Sequence, residues 1–221
     1  VCRDHWGFGG HREPTSPGKE AAVALADIGR ASLKPLLAAL ESNPWVARKH
    51  AAFGLGLLED PQALDPLMKT LGDEVGEVRQ QSAWALGMLE DRQSVAALSE
   101  TLADEYAPAR KHSAWALGMI EDPSAVEALV TVLRDEDPSV RSQAAWALGM
   151  IEDRAAVPGL AAALNDDTPK VRSNAAWALG MIEDSGGVEP LARALRDAEP
   201  KVRAQAAWAL GMIEDKAAVS G

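Results

Sequence analysis

The 221-residue chain carries 33 acidic against 22 basic side chains, a net charge of −11, so its overall field repels phosphate backbones and anionic membrane surfaces and attracts cationic partners. That balance argues against nucleic acid as a ligand. The single cysteine, Cys2, excludes an internal disulfide, and no apolar run is long enough to span a bilayer as a helix.

Residues 1–17, "VCRDHWGFGGHREPTSP", hold glycine and proline without helical periodicity and read as a loop, a cap or a disordered lead. Cys2, His5 and His11 imitate metal-ligand spacing there, but in a glycine-rich stretch the pattern is read as incidental, and no metal is expected. No basic stretch followed by an apolar one marks a secretory signal, and both a cytoplasmic location and an extracytoplasmic domain of a larger protein fit. Residues 18–29, "GKEAAVALADIG", read as a degenerate helix that opens the repetitive part.

From there the chain repeats. The string WALGM[LI]ED begins at Trp84, Trp115, Trp146, Trp177 and Trp208, 31 residues apart each time. Such a period predicts a linear array of supersecondary units with no internal domain boundary. Each unit divides into two helices, seen in residues 122–153 as "DPSAVEALVTVLRDED" and "PSVRSQAAWALGMIED". Helix A opens on an aspartate cap, as at Asp60 and Asp122, and buries positions such as Val126, Leu129, Val132 and Leu133. Six A–B pairs are expected over about 31–213, with A near 31–41, 62–71, 93–102, 124–133, 155–164 and 186–195. The B helices fall near 45–58, 76–89, 107–120, 138–151, 169–182 and 200–213. The chain starts without methionine and stops at "EDKAAVSG", elsewhere the first turn of a new unit, which reads as a piece of a longer protein.

Helix B is apolar nearly all round, so its faces are separated by angle at about 100° per residue. With Leu148 at zero, Ala144, Ile151, Val140 and Ala147 fall between about −40° and −100° and form the core face. Trp146 lies at about 160°, Met150 at about 200° and Gln143 at about 220°, facing away from it, with Ala145 and Gly149 on a flank where helices can approach. The outward pairs are Phe53/Leu57, Trp84/Met88, Trp115/Met119, Trp146/Met150, Trp177/Met181 and Trp208/Met212. With helices about 8–10 Å apart, the five tryptophans make a ribbon about 40 Å long, which an extended peptide of about 12 residues would cover. Gln81, His112, Gln143, Asn174 and Gln205, each three residues before a tryptophan, are candidates for hydrogen bonding to its backbone. The competing reading has each tryptophan lie flat on a neighbour's methionine, tightening the inner surface through sulfur–aromatic contact.

The strings "VRSQAAWALGMIED" and "AVEALVTVL" resemble the HEAT-like repeats named after phycobilisome bilin lyases, whose B helix reads approximately VR-x-x-AA-x-ALG-x-[IL]. The resemblance covers about residues 18–219 and implies an all-α, right-handed solenoid with B helices on its concave side. In that family the variable positions face the groove; here they are Ser142, Gln143, Trp146 and Met150. Arg48, Arg79, Arg110, Arg141, Arg172 and Arg203 recur on the core side at about 20° and are expected to be structural rungs bonded to aspartates such as Asp73, Asp104, Asp135, Asp166 and Asp197 and to loop carbonyls.

Catalytic chemistry is not encoded in any recognisable pattern. The His-Glu pairs of the diiron deoxyhypusine hydroxylases are replaced by Lys49-His50, Gln80-Gln81, Lys111-His112, Ser142-Gln143, Ser173-Asn174 and Ala204-Gln205. HEAT-like DNA glycosylases need a basic groove, which this acidic chain does not provide. The repeated Glu-Asp pairs fall where an aspartate caps the next helix. The expectation is a non-catalytic scaffold without cofactor that binds a protein or peptide segment with apolar, aromatic and basic character. A bilin-lyase-like accessory subunit handling a tetrapyrrole or its acceptor protein, and a module that self-associates through its solenoid ends, are the alternatives.

Overall fold

A computed structural model describes the backbone of residues 17–220 and the side chains of residues 17–214. The expected irregular lead, with Cys2, His5 and His11, lies outside the described residues except for Pro17, which opens the first helix. Helix α1 (Pro17–Ile28) is followed by six A–B pairs. The A helices are α2 (Leu33–Leu40), α4 (Leu64–Thr70), α6 (Val95–Thr101), α8 (Val126–Val132), α10 (Val157–Ala163) and α12 (Val188–Ala194). The B helices are α3 (Trp45–Leu58), α5 (Gly76–Leu89), α7 (Ala107–Ile120), α9 (Pro138–Ile151), α11 (Pro169–Ile182) and α13 (Pro200–Ser220). No strand occurs among the described residues, and the architecture is an all-α solenoid.

The A helices are shorter than the hydrophobic periodicity suggests, because each opens with a separate 3-10 turn. Pro61–Ala63 precedes α4, and the Asp60 carboxylate accepts the Gln62 N–H at 3.0 Å. Asp91, Asp122, Asp153 and Asp184 cap the corresponding turns in the same way. Before each of these aspartates, the glutamate of the Glu-Asp pair ends helix B in the left-handed region, with φ between 50° and 56° at Glu59, Glu90, Glu121, Glu152 and Glu183. One dipeptide therefore stops a helix and starts the next. At the corresponding point after α1 the residue is Gly29, at φ 75°, which adopts this conformation without steric cost.

The core runs between the A and B layers. Leu67, Leu98, Leu129, Leu160 and Leu191 from the A side and Leu55, Leu86, Leu117, Leu148 and Leu179 from the B side are fully buried, so that each of the four middle pairs contributes one of each. Each pair buries its apolar face only by contact with its neighbours, as repeat architectures require. Adjacent B helices touch along their length whereas adjacent A helices scarcely meet. The closer-spaced layer of a curved stack is the inner one, so the B helices line the concave side.

Candidate interaction surface

The B helices approach one another at a glycine. A Cβ at Gly149 would lie 2.5 Å from Trp177 Cζ3 and 2.9 Å from Ala178 Cα, so only a glycine admits the next helix and its indole. Gly56, Gly87, Gly118 and Gly180 stand in the same relation to Trp84, Trp115, Trp146 and Trp208, with Cζ3 at 2.6–2.7 Å from the position of a Cβ. Each tryptophan is thus seated in a notch of the preceding repeat.

What remains open to solvent varies along the ladder. Trp84, Trp146 and Trp177 are half-buried, Trp115 is buried with 5% of its surface exposed, and Trp208, the last, is 40% exposed. The expected ribbon of five tryptophans facing away from the core is therefore interrupted at the buried Trp115. Met88, Met119, Met150, Met181 and Met212 are all half-buried. At the other end Phe53 stacks on Trp84, ring centroids 5.1 Å apart at 28°, and Lys19 of α1 lies over Phe53 at 5.5 Å, while Leu57 is half-buried beside them in sequence.

The polar positions differ in their commitments. Gln81, Gln143 and Gln205 are half-buried. Asn174 donates from Nδ2 to the Ser142 carbonyl at 2.8 Å and to Ser142 Oγ at 3.0 Å, so its amide ties two repeats together. His112 donates Nδ1–H to the Pro108 carbonyl at 2.8 Å when neutral, which leaves the Nε2 lone pair as its acceptor. Burial pushes the His112 pKa below its ordinary value, with Lys111 acting in the same direction, so the neutral form is favoured.

The arginines are rungs. Arg110 forks Asp135 of the next repeat at 2.7 and 2.8 Å and donates to the carbonyl of Asp104 in its own repeat at 2.8 Å. Arg48, Arg79, Arg141 and Arg172 repeat the fork on Asp73, Asp104, Asp166 and Asp197. Burial alone would raise the pKa values of Asp73, Asp104 and Asp166, but the arginine fork and a backbone N–H two residues on outweigh it and hold them low. These guanidinium groups are saturated with structural bonds. Among the described residues no three His, Cys, Asp or Glu side chains gather as a metal site, and no helix is long and apolar enough to cross a membrane.

A fold of stacked helix pairs with glycine-seated tryptophans defines a class, the helical repeat solenoids, and sequence comparison narrows it. A model of HEAT repeats matches residues 33–114, 96–172 and 157–220, and the chain belongs to the HEAT repeat family. A search of curated proteins returned no match. Among solved structures, an engineered protein is 25% identical with a TM-score of 0.65, covering 83% of this chain and 96% of its own. The complex of CpcE and CpcF of phycocyanin lyase from Nostoc sp. is 24% identical with a TM-score of 0.65, covering 92% of this chain and 81% of that one. A designed armadillo repeat protein in complex with the peptide (KR)4 is 21% identical with a TM-score of 0.65, over 82% of this chain and 99% of that one. The last two likenesses show the fold alone.

Proposed function

We propose that this protein is a non-catalytic interaction scaffold that holds an extended segment of another protein across the concave faces of its B helices. The observation that carries this reading is the Trp/Met stripe, half-buried except at the buried Trp115 and the exposed Trp208, which repeats every 31 residues along one side of an acidic solenoid. Indoles fixed in glycine notches lose little conformational freedom on binding, and methionines at i+4 adapt to irregular side chains. A net charge of −11 favours a segment with basic residues between its apolar or aromatic anchors. Gln81, Gln143, Gln205 and the Nε2 of His112 supply hydrogen-bonding groups at the spacing of the repeat.

The test is a titration of the protein with extended peptides that alternate basic and aromatic residues, followed by tryptophan fluorescence. It is repeated on a Trp146→Ala, Trp177→Ala double variant whose helical circular dichroism is intact. Binding that survives unchanged in the variant refutes the groove as the site. A visible absorption band on incubation with a bilin, with no response to peptide, would instead favour the tetrapyrrole-handling role.

A further inference from the structure

The joints between consecutive B helices are built to one dimension. A Cβ at Gly56, Gly87, Gly118, Gly149 or Gly180 would stand 2.9 Å from the Cα of the alanine that follows the seated tryptophan, the same at all five joints. The Trp/Met stripe therefore repeats at a single helix-to-helix distance, about 8–10 Å for packed helices. Among extended conformations that distance selects one. A β-strand returns a side chain to the same face every second residue, about 6.4–6.8 Å, and after three residues, about 10 Å, it presents the opposite face. A polyproline II helix turns once in three residues of about 3.1 Å each, so every third side chain returns to the same face after about 9.3 Å. Only the second conformation sets an equivalent side chain against each repeat.

The stripe also has a charged margin. Glu59, Glu90, Glu121 and Glu152 end their B helices at exposed positions, and among the described residues no cation pairs with them. Glu152 lies two residues past Met150 and six past Trp146, about 3 Å and 9 Å along the axis at 1.5 Å per residue, a distance that a lysine or arginine side chain bridges from a backbone laid over the stripe. Successive glutamates feel one another: partial burial of its carboxyl and the like charges of Glu59 and Glu121 push Glu90 above its ordinary value. The negative end of each helix dipole adds to the same field. At the opposite end of the B helices the exposed carboxylates of Glu74, Glu105, Glu136 and Asp167 already face an arginine at 2.8–3.4 Å.

We infer, on the basis of the scaffold reading, that the bound segment is a proline-rich stretch in the polyproline II conformation that advances three residues per repeat. One residue of each turn lies on the Trp/Met stripe, and one basic residue of each turn stands beside the glutamate that ends the B helix. Twelve residues make four turns and about 37 Å, close to the length of the ribbon. Proline holds this conformation before binding, so little chain entropy is lost on the aromatic floor.

The probe is the capped peptide (Pro-Pro-Arg)4, titrated calorimetrically into the native chain beside two controls. One control has the same composition with its four arginines consecutive, and the other is (Pro-Arg)6, with a basic residue at every second position. (Pro-Pro-Arg)4 should bind about tenfold tighter than either, although (Pro-Arg)6 carries more charge. The double variant Glu121→Gln, Glu152→Gln, with its helical circular dichroism intact, should bind (Pro-Pro-Arg)4 about fivefold more weakly and with a shallower salt dependence. Equal or tighter binding of either control, unchanged affinity in the glutamine variant, or no binding of (Pro-Pro-Arg)4 by the native chain overturns the inference. The scaffold reading is decided separately, by the peptides that alternate basic and aromatic residues and by the Trp146→Ala, Trp177→Ala variant, so the polyproline II segment can fail while the groove stands.

Discussion

Replacing one helical glycine by alanine should destabilise this chain in α9 and stabilise it in α13, although both glycines occupy the same register position. At Gly149 the added methyl would stand 2.5 Å from the Trp177 ring and 2.9 Å from Ala178 Cα. The second neighbour is backbone and cannot swing aside, which places the overpacking cost in the upper part of the range of about 1–3 kcal/mol. Alanine recovers about 1 kcal/mol of helix propensity over glycine, so Gly149→Ala should lose a net of about 1–2 kcal/mol. Among the described residues no atom lies within 4 Å of a methyl at Gly211, and only the propensity gain of about 0.5–1 kcal/mol remains. Urea unfolding followed by helical circular dichroism reads both signs. If Gly149→Ala raises the midpoint, or if the two variants shift it equally, the close helix approach is not what requires glycine.

The tryptophan ladder should show a gradient: Trp115→Ala, which empties a buried site, should cost about 3–5 kcal/mol, and Trp208→Ala, 40% exposed, clearly less in the same unfolding assay. Asp166→Asn leaves the Arg141 fork without its carboxylate and should cost about 1–3 kcal/mol. Because Asp73, Asp104 and Asp166 titrate below their ordinary value when folded, their contribution is full above the unfolded carboxylate value of about 3.9 and is lost as pH falls from there through the lower folded values; Asp166→Asn should flatten part of that acid limb. His112 is also depressed when folded, so the unfolded chain takes up its proton first and stability falls as pH drops below about 6.5. Unfolding free energies of the native chain and His112→Gln at neutral pH and near pH 5.5 should differ more for the native chain.

Much of the fold was legible because a strict period multiplies a weak local signal. One helix B is apolar on too many sides to orient by inspection, but the angular separation of Leu148 from Trp146 matches a fully buried leucine and a half-buried tryptophan. The arginine rung was legible for the same reason, since a charge recurring on the core side must find a partner. The partner's distance was not: each fork reaches an aspartate 25 residues ahead, in the next repeat, a relation set by stacking and not by local pattern. The exposure of individual tryptophans was hidden as well, because Trp115 and Trp146 sit in identical strings and differ only through what packs around them. The left-handed glutamates had one indicator in the sequence, Gly29 standing where the later repeats carry glutamate.

The glycine notch joins packing and recognition in one side chain. The indole edge that enters the notch sets the spacing of consecutive B helices, and the opposite side of the same ring is what a partner would touch. Removing a tryptophan therefore disturbs both the groove wall and the spacing of the remaining sites, since a repeat array transmits a change at one interface to its neighbours. The five methionines are half-buried on the same stripe, and none is among the atoms nearest to a Cβ at these glycines, although Met88 and Met119 pack against the core. Contact with a bound segment is thus most cleanly separated from solenoid geometry at Met150 and Met181, where shortening the side chain removes contact area from the groove and leaves the Gly149–Trp177 joint in place.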